Sequence, residues 1–452
     1  MVGAPLFEDL HEVVLPWVDP ERAFLALYRD CEAAFWLDSA TGAGRSFLGS
    51  CAPSEAIVVE AGGDVPEALA RVDAESTGGD RALGRYGWLS YEAGAPFVAL
   101  PVHEASADAP PALVLLRGDP VLEFDHAAQS LRIVSSPPRR TEADRLAAVL
   151  TALAEEPLAD PAPAEPVAEV RWRHGRDAYL ELIRLCQAAI RAGDAYQLCL
   201  TNEVVVEGSF DAVECYRRLR RSSPSHHGGL IRFGGRSLVS ASPERFLTRE
   251  AGGRAATHPI KGTRPRGRDA AEDEALREEL LSSVKERAEN VMIVDLVRND
   301  LARIASPATV RVDRLLEVET YLHVHQLVSE VSALPAEGVG PAALIAATFP
   351  AGSMTGAPKR RAVELLREWE RGPRGVYSGA FGRIGSDGSL DLAMTIRSLV
   401  IEPDRARLGT GGGITVLSVP EEEVEETRLK ARALLAALGV PPEVAEDSSP
   451  GR

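Results

Sequence analysis

Short runs of alternating apolar and polar side chains dominate the first 135 or so residues: AFWLDSA, RSFLGS, EAIVVEA, YGWLSYEAG, ALVLLRGD and LRIVSS. A period of two, rich in aromatic and β-branched residues, predicts strands, hence a largely β region with few helices. SPPRR, a short Ala/Leu helix and EEPLADPAPAEPVAE follow over residues 136–168, the last a Pro- and acid-rich connection with little core of its own. Beyond it the period changes. Tyr179, Ile183, Cys186 and Ile190 recur at intervals of four, three and four, one stripe of an amphipathic helix that stops near Gly193 and Asp194.

YQLCLTNEVVVE, GGLIRFGG and SLVSASPERFLTRE then read as strands. Asp269 with Glu272, and Ser283 with Glu286, each fit an N-cap box, which predicts a helix from each, the second running to about Ile304. APKRRAVELLREWE is helical, VYSGAFGRIG, LDLAMTIRSLVIE and RARLGTGGGITV are strand-like, and a last helix is expected from about Ser418 to Leu438. Strands and helices fall in blocks rather than in strict alternation, so the expected fold class is α+β with mostly antiparallel sheets. The expected divisions are a β-rich region over 1–150, the connection over 151–168, a second region over 169–440 and a flexible tail over 441–452.

Composition narrows the function. No apolar run in the 452 residues approaches the roughly 18 needed for a membrane span. The start, MVGAPLFEDLHEVVLPWVDP, has no basic segment ahead of an apolar run, so a cytoplasmic location is the expectation. A net charge of −17 disfavours nucleic acid as a partner. Five cysteines without ligand spacing argue against a disulfide framework or a zinc site. The basic residues are unevenly divided: 50 in all, of which only Lys261, Lys285, Lys359 and Lys430 are lysines. A lysine kept in so Arg-rich a chain points to amine chemistry, because guanidinium does not deprotonate.

Several short patterns carry candidate chemistry, each beside a plainer reading. Glu286 and Glu289 share one helix face and Glu423 and Glu426 another, an oxygen-ligand set suited to Mg2+, although acidic first turns occur for the helix dipole alone. GTGGGI (409–414) allows close approach of backbone amides to an anion, or is simply a turn. FPAGSMTGAPK (349–359) is an anion cradle at a helix start or a cap. Arg397, in an otherwise apolar strand, needs an acidic partner or an anionic ligand, and spacing does not choose. His323 and His325 would face one way in a strand and read most simply as packed residues. Lys261, between Pro-Ile and Gly-Thr, is an amine whose pKa an apolar pocket would lower.

GDAYQ (193–197), SPERF (242–246), PIKGTRPRG (259–267), ERAENVMIVDLVRNDLARI (286–304), FPAGSMTGAPK, VYSGAFG (376–382), TIRSL (395–399), GGGI (411–414) and ETRLKARALL (426–435) together resemble the chorismate-utilising enzymes. That family includes anthranilate synthase component I, aminodeoxychorismate synthase component I and the isochorismate synthases. The likeness covers about 170–440, with WLDSATGAGRSFLG and YGWLSYE as a weaker extension. It implies a single large unit of two packed antiparallel sheets flanked by helices, in which the boundary near 150 is topological. It further implies that Glu289 and Glu426 are Mg2+ ligands, with Glu286 and Glu423 beside them, and that the metal holds the ring carboxylate of chorismate. Tyr377, Arg397 and the amides of Gly411, Gly412 and Gly413 correspond to groups that bind the enolpyruvyl carboxylate. Lys430 lies near the metal end, and Gln197, Thr263 and Thr355 complete the implied substrate set.

Two positions separate the branches of this family. Isochorismate synthases resemble one another in having a lysine where this chain has Gln197, so water addition is disfavoured. Anthranilate synthases typically read PIAGT where this chain reads PIKGT, and the lysine form is similar to the C4-aminating branch, in which the amine attacks C2 before ammonia enters at C4. Many relatives have a histidine where this chain has Gln326, so any proton-transfer role there passes to His325 or to none. The expectation is amination of chorismate at C4, with ammonia from a separate glutamine amidotransferase, since no cysteine here has the G-x-C-x-G context of a glutamine-hydrolysing nucleophile. The alternatives are anthranilate formation and a non-catalytic chorismate or aromatic amino acid sensor.

Overall fold

The computed structural model describes residues 10–76, 78–102, 109–153, 157–167, 169–321 and 324–446. Two sheets face one another, one of twelve strands and one of ten, built from antiparallel pairs. Both draw on both ends of the chain. In the larger, Ala34–Asp38 lies between Arg45–Ser50 and His227–Phe233; in the smaller, Gly84–Leu89 lies between Leu113–Gly118 and Ala380–Gly385. The 151–168 connection therefore divides the sequence but not the sheets.

The core between the sheets is where apolar faces of alternating strands meet, and Phe35 of the larger stacks on Tyr86 of the smaller at 3.9 Å. Helices cover the outer faces. Arg176–Ala192, Ala212–Ser222 and Pro420–Leu438 pack on the larger sheet, and Val65–Glu75, Val284–Ala302 and Pro341–Thr348 on the smaller. Several helix limits follow from caps read in the sequence. Gly193 takes a left-handed φ of 86° and closes Arg176–Ala192, while Asp269 and Ser283 each accept backbone N–H bonds as N-caps of Ala270–Ser282 and Val284–Ala302. The expected flexible tail is partly ordered: Pro442–Glu446 is a short helix whose Val444 and Ala445 pack on the core. Residues 447–452 lie outside the described set. No helix among the described residues is long and apolar enough to cross a membrane, and all five cysteines are free thiols.

A cavity of about 750 Å3 opens between the sheets beside Asp38, Arg245, His226, His227, His258 and Tyr321. Burial depresses His227 and His258 from 6.5 to about 4, with Arg245 adding to the effect and Asp391 opposing it. Both imidazoles are thus neutral in the folded chain at pH values where the unfolded chain protonates them. The contribution of these two histidines to stability is therefore complete above pH 6.5 and should fall as the pH drops from 6.5 towards 4, because the unfolded state then binds more protons. A His227→Gln, His258→Gln double variant should show a flatter fall of Tm over this range by calorimetry; an unaltered slope would refute the assignment.

Candidate active site

One antiparallel ribbon leaves the larger sheet and enters the smaller. In the larger sheet Ser240 pairs with Ser398, and in the smaller Arg245 pairs with Ala393. The corner between them is tied by Ala241 N–H to Arg397 C=O at 3.1 Å and Met394 N–H to Glu244 C=O at 3.0 Å. SLVSASPERFLTRE and LDLAMTIRSLVIE, each expected as one strand, both break here, into Arg236–Ser242 with Arg245–Arg249, and Leu390–Met394 with Ser398–Ile401. The alternating pattern continues through the corner because each side of it is still a strand. Arg397 accordingly stands at the bend, with φ of 50°, and not within a strand. Its guanidinium makes no hydrogen bond or ion pair with any described residue, and burial lowers its pKa. No acidic side chain bonds it, although Tyr377 and Glu426 act on it at longer range, so the corner presents a half-buried cation with no bonded partner among the described residues, which is an anion-binding feature.

The Gly-rich strand Arg405–Ile414 pairs with Gln197–Glu207, setting Gly411, Gly412 and Gly413 opposite Thr201, Leu200 and Cys199. Missing side chains there let charged groups close in from two sides. The point a Cβ of Gly412 would occupy is 3.2 Å from Glu423 Oε2, 3.8 Å from Lys430 Nζ and 3.9 Å from Glu426 Oε1. The corresponding point on Gly413 is 2.4 Å from Gln197 Nε2 and 3.4 Å from Glu289 Oε2. Five residues read separately in the sequence thus meet on two glycines. Lys430 also donates to Gly411 C=O at 2.8 Å and pairs with Glu426 at 2.6 Å, and Lys285 pairs with Glu423 at 2.8 Å. Glu286 faces Arg264 at 3.5 Å.

Glu289 is the exception among these carboxylates. It has no ion pair among the described residues, its buried Oε1 has no hydrogen-bond partner, and neither side-chain polar atom of the fully buried Gln197 has one. Burial, reinforced by Glu286 and Glu423 and opposed by Lys261 and Lys285, pushes the Glu289 pKa up to about 7. In Glu426, burial acts in the same sense, but Lys430, Lys285 and Lys261 outweigh it and hold the pKa below the ordinary value. Among the described residues no three His, Cys, Asp or Glu side chains are gathered closely enough to hold a metal ion as they stand, since three of the four glutamates lean on cations. The donor set nonetheless fits Mg2+: all are carboxylate oxygens, and the unpaired Glu289 oxygen lies in a patch where burial already disfavours negative charge.

Lys261 is on Ile260–Pro265, where the strand register slips between Ile260 and Thr263. Its Nζ donates to Ser353 C=O at 3.4 Å, and the Ser353 hydroxyl donates to Glu244 Oε1 at 2.7 Å. Burial works to lower the Lys261 pKa, as expected from its apolar neighbours, but Cys199, Glu289, Glu244 and Glu426 outweigh it, so the pKa is raised. The expectation of a depressed pKa is overturned because the pocket is acidic. Glu244, in SPERF, was not legible as a site residue; the strand break that carries it between the sheets has no period signal. Burial raises its pKa, against Ser353, Lys261 and Lys430.

The other expected residues are distributed unevenly. The Tyr377 ring lies over Gly409, whose Cβ would be 2.0 Å from the ring. Thr355 is fully buried and its hydroxyl donates to Ala351 C=O at 3.1 Å, while Thr263 is exposed and paired across strands with Gln326. His325 bonds Thr320 and Asp273 through its two ring nitrogens, a structural anchor. His323 lies outside the described residues. Lys359 pairs with the buried Asp300 at 2.6 Å, so three of the four lysines serve this cleft and the fourth serves packing.

The sequence pattern of chorismate binding enzymes matches residues 32–436. An aminodeoxychorismate synthase from Streptomyces griseus is 39% identical over 93% of this chain, which spans 63% of that relative's length. Anthranilate synthase component 1 from Thermus thermophilus is 40% identical over 78% of this chain and 77% of its own. The crystal structure of anthranilate synthase component I from Streptococcus pneumoniae TIGR4 superimposes with a TM-score of 0.77 at 27% identity, covering 87% of this chain and 92% of that one.

Close packing of Tyr377 on Gly409 gives a direct check of the geometry. Gly409→Ala should lower stability by about 1–3 kcal/mol through the forced ring displacement. Adding Tyr377→Ala should cost less than the sum of the two single changes, measured by chemical denaturation; strict additivity would mean the two do not touch.

Proposed function

The chain belongs to the chorismate-binding enzymes, and from that premise we propose that it aminates chorismate at C4, giving 4-amino-4-deoxychorismate on the way to p-aminobenzoate. The observation that carries the choice of product is Lys261, an amine under the influence of Glu289 and Glu244, in the segment PIKGT where the family resemblance implies alanine for the anthranilate-forming branch. Overall identity does not choose, because relatives of both kinds match at about the same level.

Arg397 and Tyr377, with the amides of Gly411 to Gly413, would bind the enolpyruvyl carboxylate. Glu289 and Glu426, flanked by Glu286 and Glu423, would hold Mg2+, which when bound supplies positive charge for the ring carboxylate. Lys261 enters as an ammonium because surrounding carboxylates raise its pKa. Its proton must leave before attack, and Glu244, a carboxylate that acts on Lys261 across the pocket and whose own pKa burial raises, is the proposed acceptor. In the first step the Nζ–C2 bond forms, both ring double bonds shift by one position and the C4–O bond breaks, the departing hydroxyl taking a proton from Glu244 to leave as water. In the second, ammonia bonds to C4, both double bonds shift back and the C2–N bond breaks, returning Lys261 as the free amine. Ammonia is proposed to come from a separate glutamine amidotransferase subunit, and a cytoplasmic setting suits both partners.

Two experiments test this reading. Purified chain with chorismate, Mg2+ and ammonium should form the C4-aminated product, identified by mass and ultraviolet spectrum, and should ignore glutamine. Lys261→Arg should lower kcat about a hundred-fold or more, close to Lys261→Ala, because guanidinium cannot be a nucleophile. Anthranilate as main product, or a near-normal rate in Lys261→Arg, would move the assignment to the C2-aminating branch. For the metal, Glu289→Gln should cut turnover about a hundred-fold and abolish the rise in Tm that Mg2+ gives the parent chain. An unchanged Mg2+ shift in that variant would remove Glu289 from the ligand set.

A further inference from the structure

Arg374 lies behind the cleft rather than in it, on the turn between the Lys359–Trp369 helix and the Ala380–Gly385 strand. Its side chain is 2% exposed, and all five of its N–H donors have acceptors. Nε and Nη2 reach the two oxygens of Glu370 at 2.8 and 2.7 Å, Nη2 also reaches Cys199 C=O at 2.8 Å, and Nη1 reaches Met354 C=O at 2.7 Å and Ser378 Oγ at 3.5 Å. The guanidinium lies over the Tyr91 ring at 4.3 Å, and Glu92 accepts from the Arg374 and Gly375 amides at 2.8 and 3.1 Å.

The three segments it joins each carry part of the cleft. Cys199 is two residues beyond Gln197 and opposite Gly413. Met354 follows Ser353, which links Lys261 to Glu244. Ser378 follows Tyr377. Glu370 extends the tie by accepting from Thr201 N–H at 2.9 Å. We propose that Arg374 is a positioning residue for the amination reaction, fixing Ser353, against which Lys261 rests, at a set distance from Tyr377 and from the strand that carries Gln197. The inference rests on the function proposed above. A rigid planar fork with five donors can hold three backbone segments at once, and an ammonium with three donors on a flexible stem cannot. Substrate binding tolerates a slight widening of such a cleft, whereas the distance over which the amine attacks does not.

The test compares Arg374→Lys with Arg383→Lys, an equally internal arginine that bonds Arg81 C=O and Ser389 and lies over Phe47, away from the cleft. Per folded molecule, Arg374→Lys should lose about ten-fold or more in kcat while KM for chorismate stays within about three-fold, and Arg383→Lys should keep its kcat. Hydrogen exchange should quicken together in segments 197–201 and 352–357 of Arg374→Lys alone. If Arg374→Lys does not fold, Glu370→Gln, which removes one arm of the fork's acceptor, should show the same kcat loss and exchange pattern. A normal kcat, an equal loss in Arg383→Lys, or unchanged exchange would overturn the proposal. Failure of the parent chain to use chorismate would instead overturn the function, and the exchange comparison would still decide whether Arg374 ties the segments.

Discussion

The site depends on one constraint: an antiparallel ribbon has to bend out of one sheet and into the other without losing its pairing. Backbone bonds from Ala241 to Arg397 and from Met394 to Glu244 hold the two strands together through that bend, so both change sheet at the same level. A residue at such a corner faces neither a regular sheet surface nor solvent. Arg397 and Glu244 are therefore delivered to the space between the sheets by the fold itself, and Arg397 accepts a positive φ to be there. Substituting the corner would disturb both sheets, which is why function can rely on it.

Charge around this corner is arranged rather than neutralised locally. Lys285 and Lys430 pair with Glu423 and Glu426, while Arg397 at one end and Glu289 at the other make no ion pair among the described residues and feel opposite charges only at longer range. In a low-dielectric cleft, a cation at one end and a group of carboxylates at the other define a direction. A small molecule with separated anionic groups, one met directly and the other through a cation, is oriented by that axis before any shape contact is made.

Helices were legible in the sequence because their signals are local: Asp269 and Ser283 cap where the boxes place them, and Gly193 stops the stripe of Tyr179, Ile183 and Cys186. The scarcity of lysine was equally informative, since Lys261, Lys285 and Lys430 converge from three elements. What escaped was non-local. Alternation of period two carries on through Pro243 and Ile396, so nothing along the chain marks the passage between sheets, and Glu244 looks like any surface acid. The Lys261 pKa went the other way from its expectation because the decisive neighbours, Glu244, Glu289 and Glu426, are distant in sequence. Thr355 has the composition of a ligand contact, yet its hydroxyl closes its own turn onto Ala351.

Interleaving of early and late strands has a consequence for how the chain is made. Gly84–Leu89 pairs with Ala380–Gly385, and Ala34–Asp38 with His227–Phe233, so segments emerging early from synthesis have one hydrogen-bonding edge unmatched until hundreds of residues later. Such long-range pairing slows folding and leaves apolar strand edges exposed in the interim. The early strands thus cannot complete either sheet by themselves, and a chain cut before the Gly-rich strand would hold two unfinished sheets rather than one finished half.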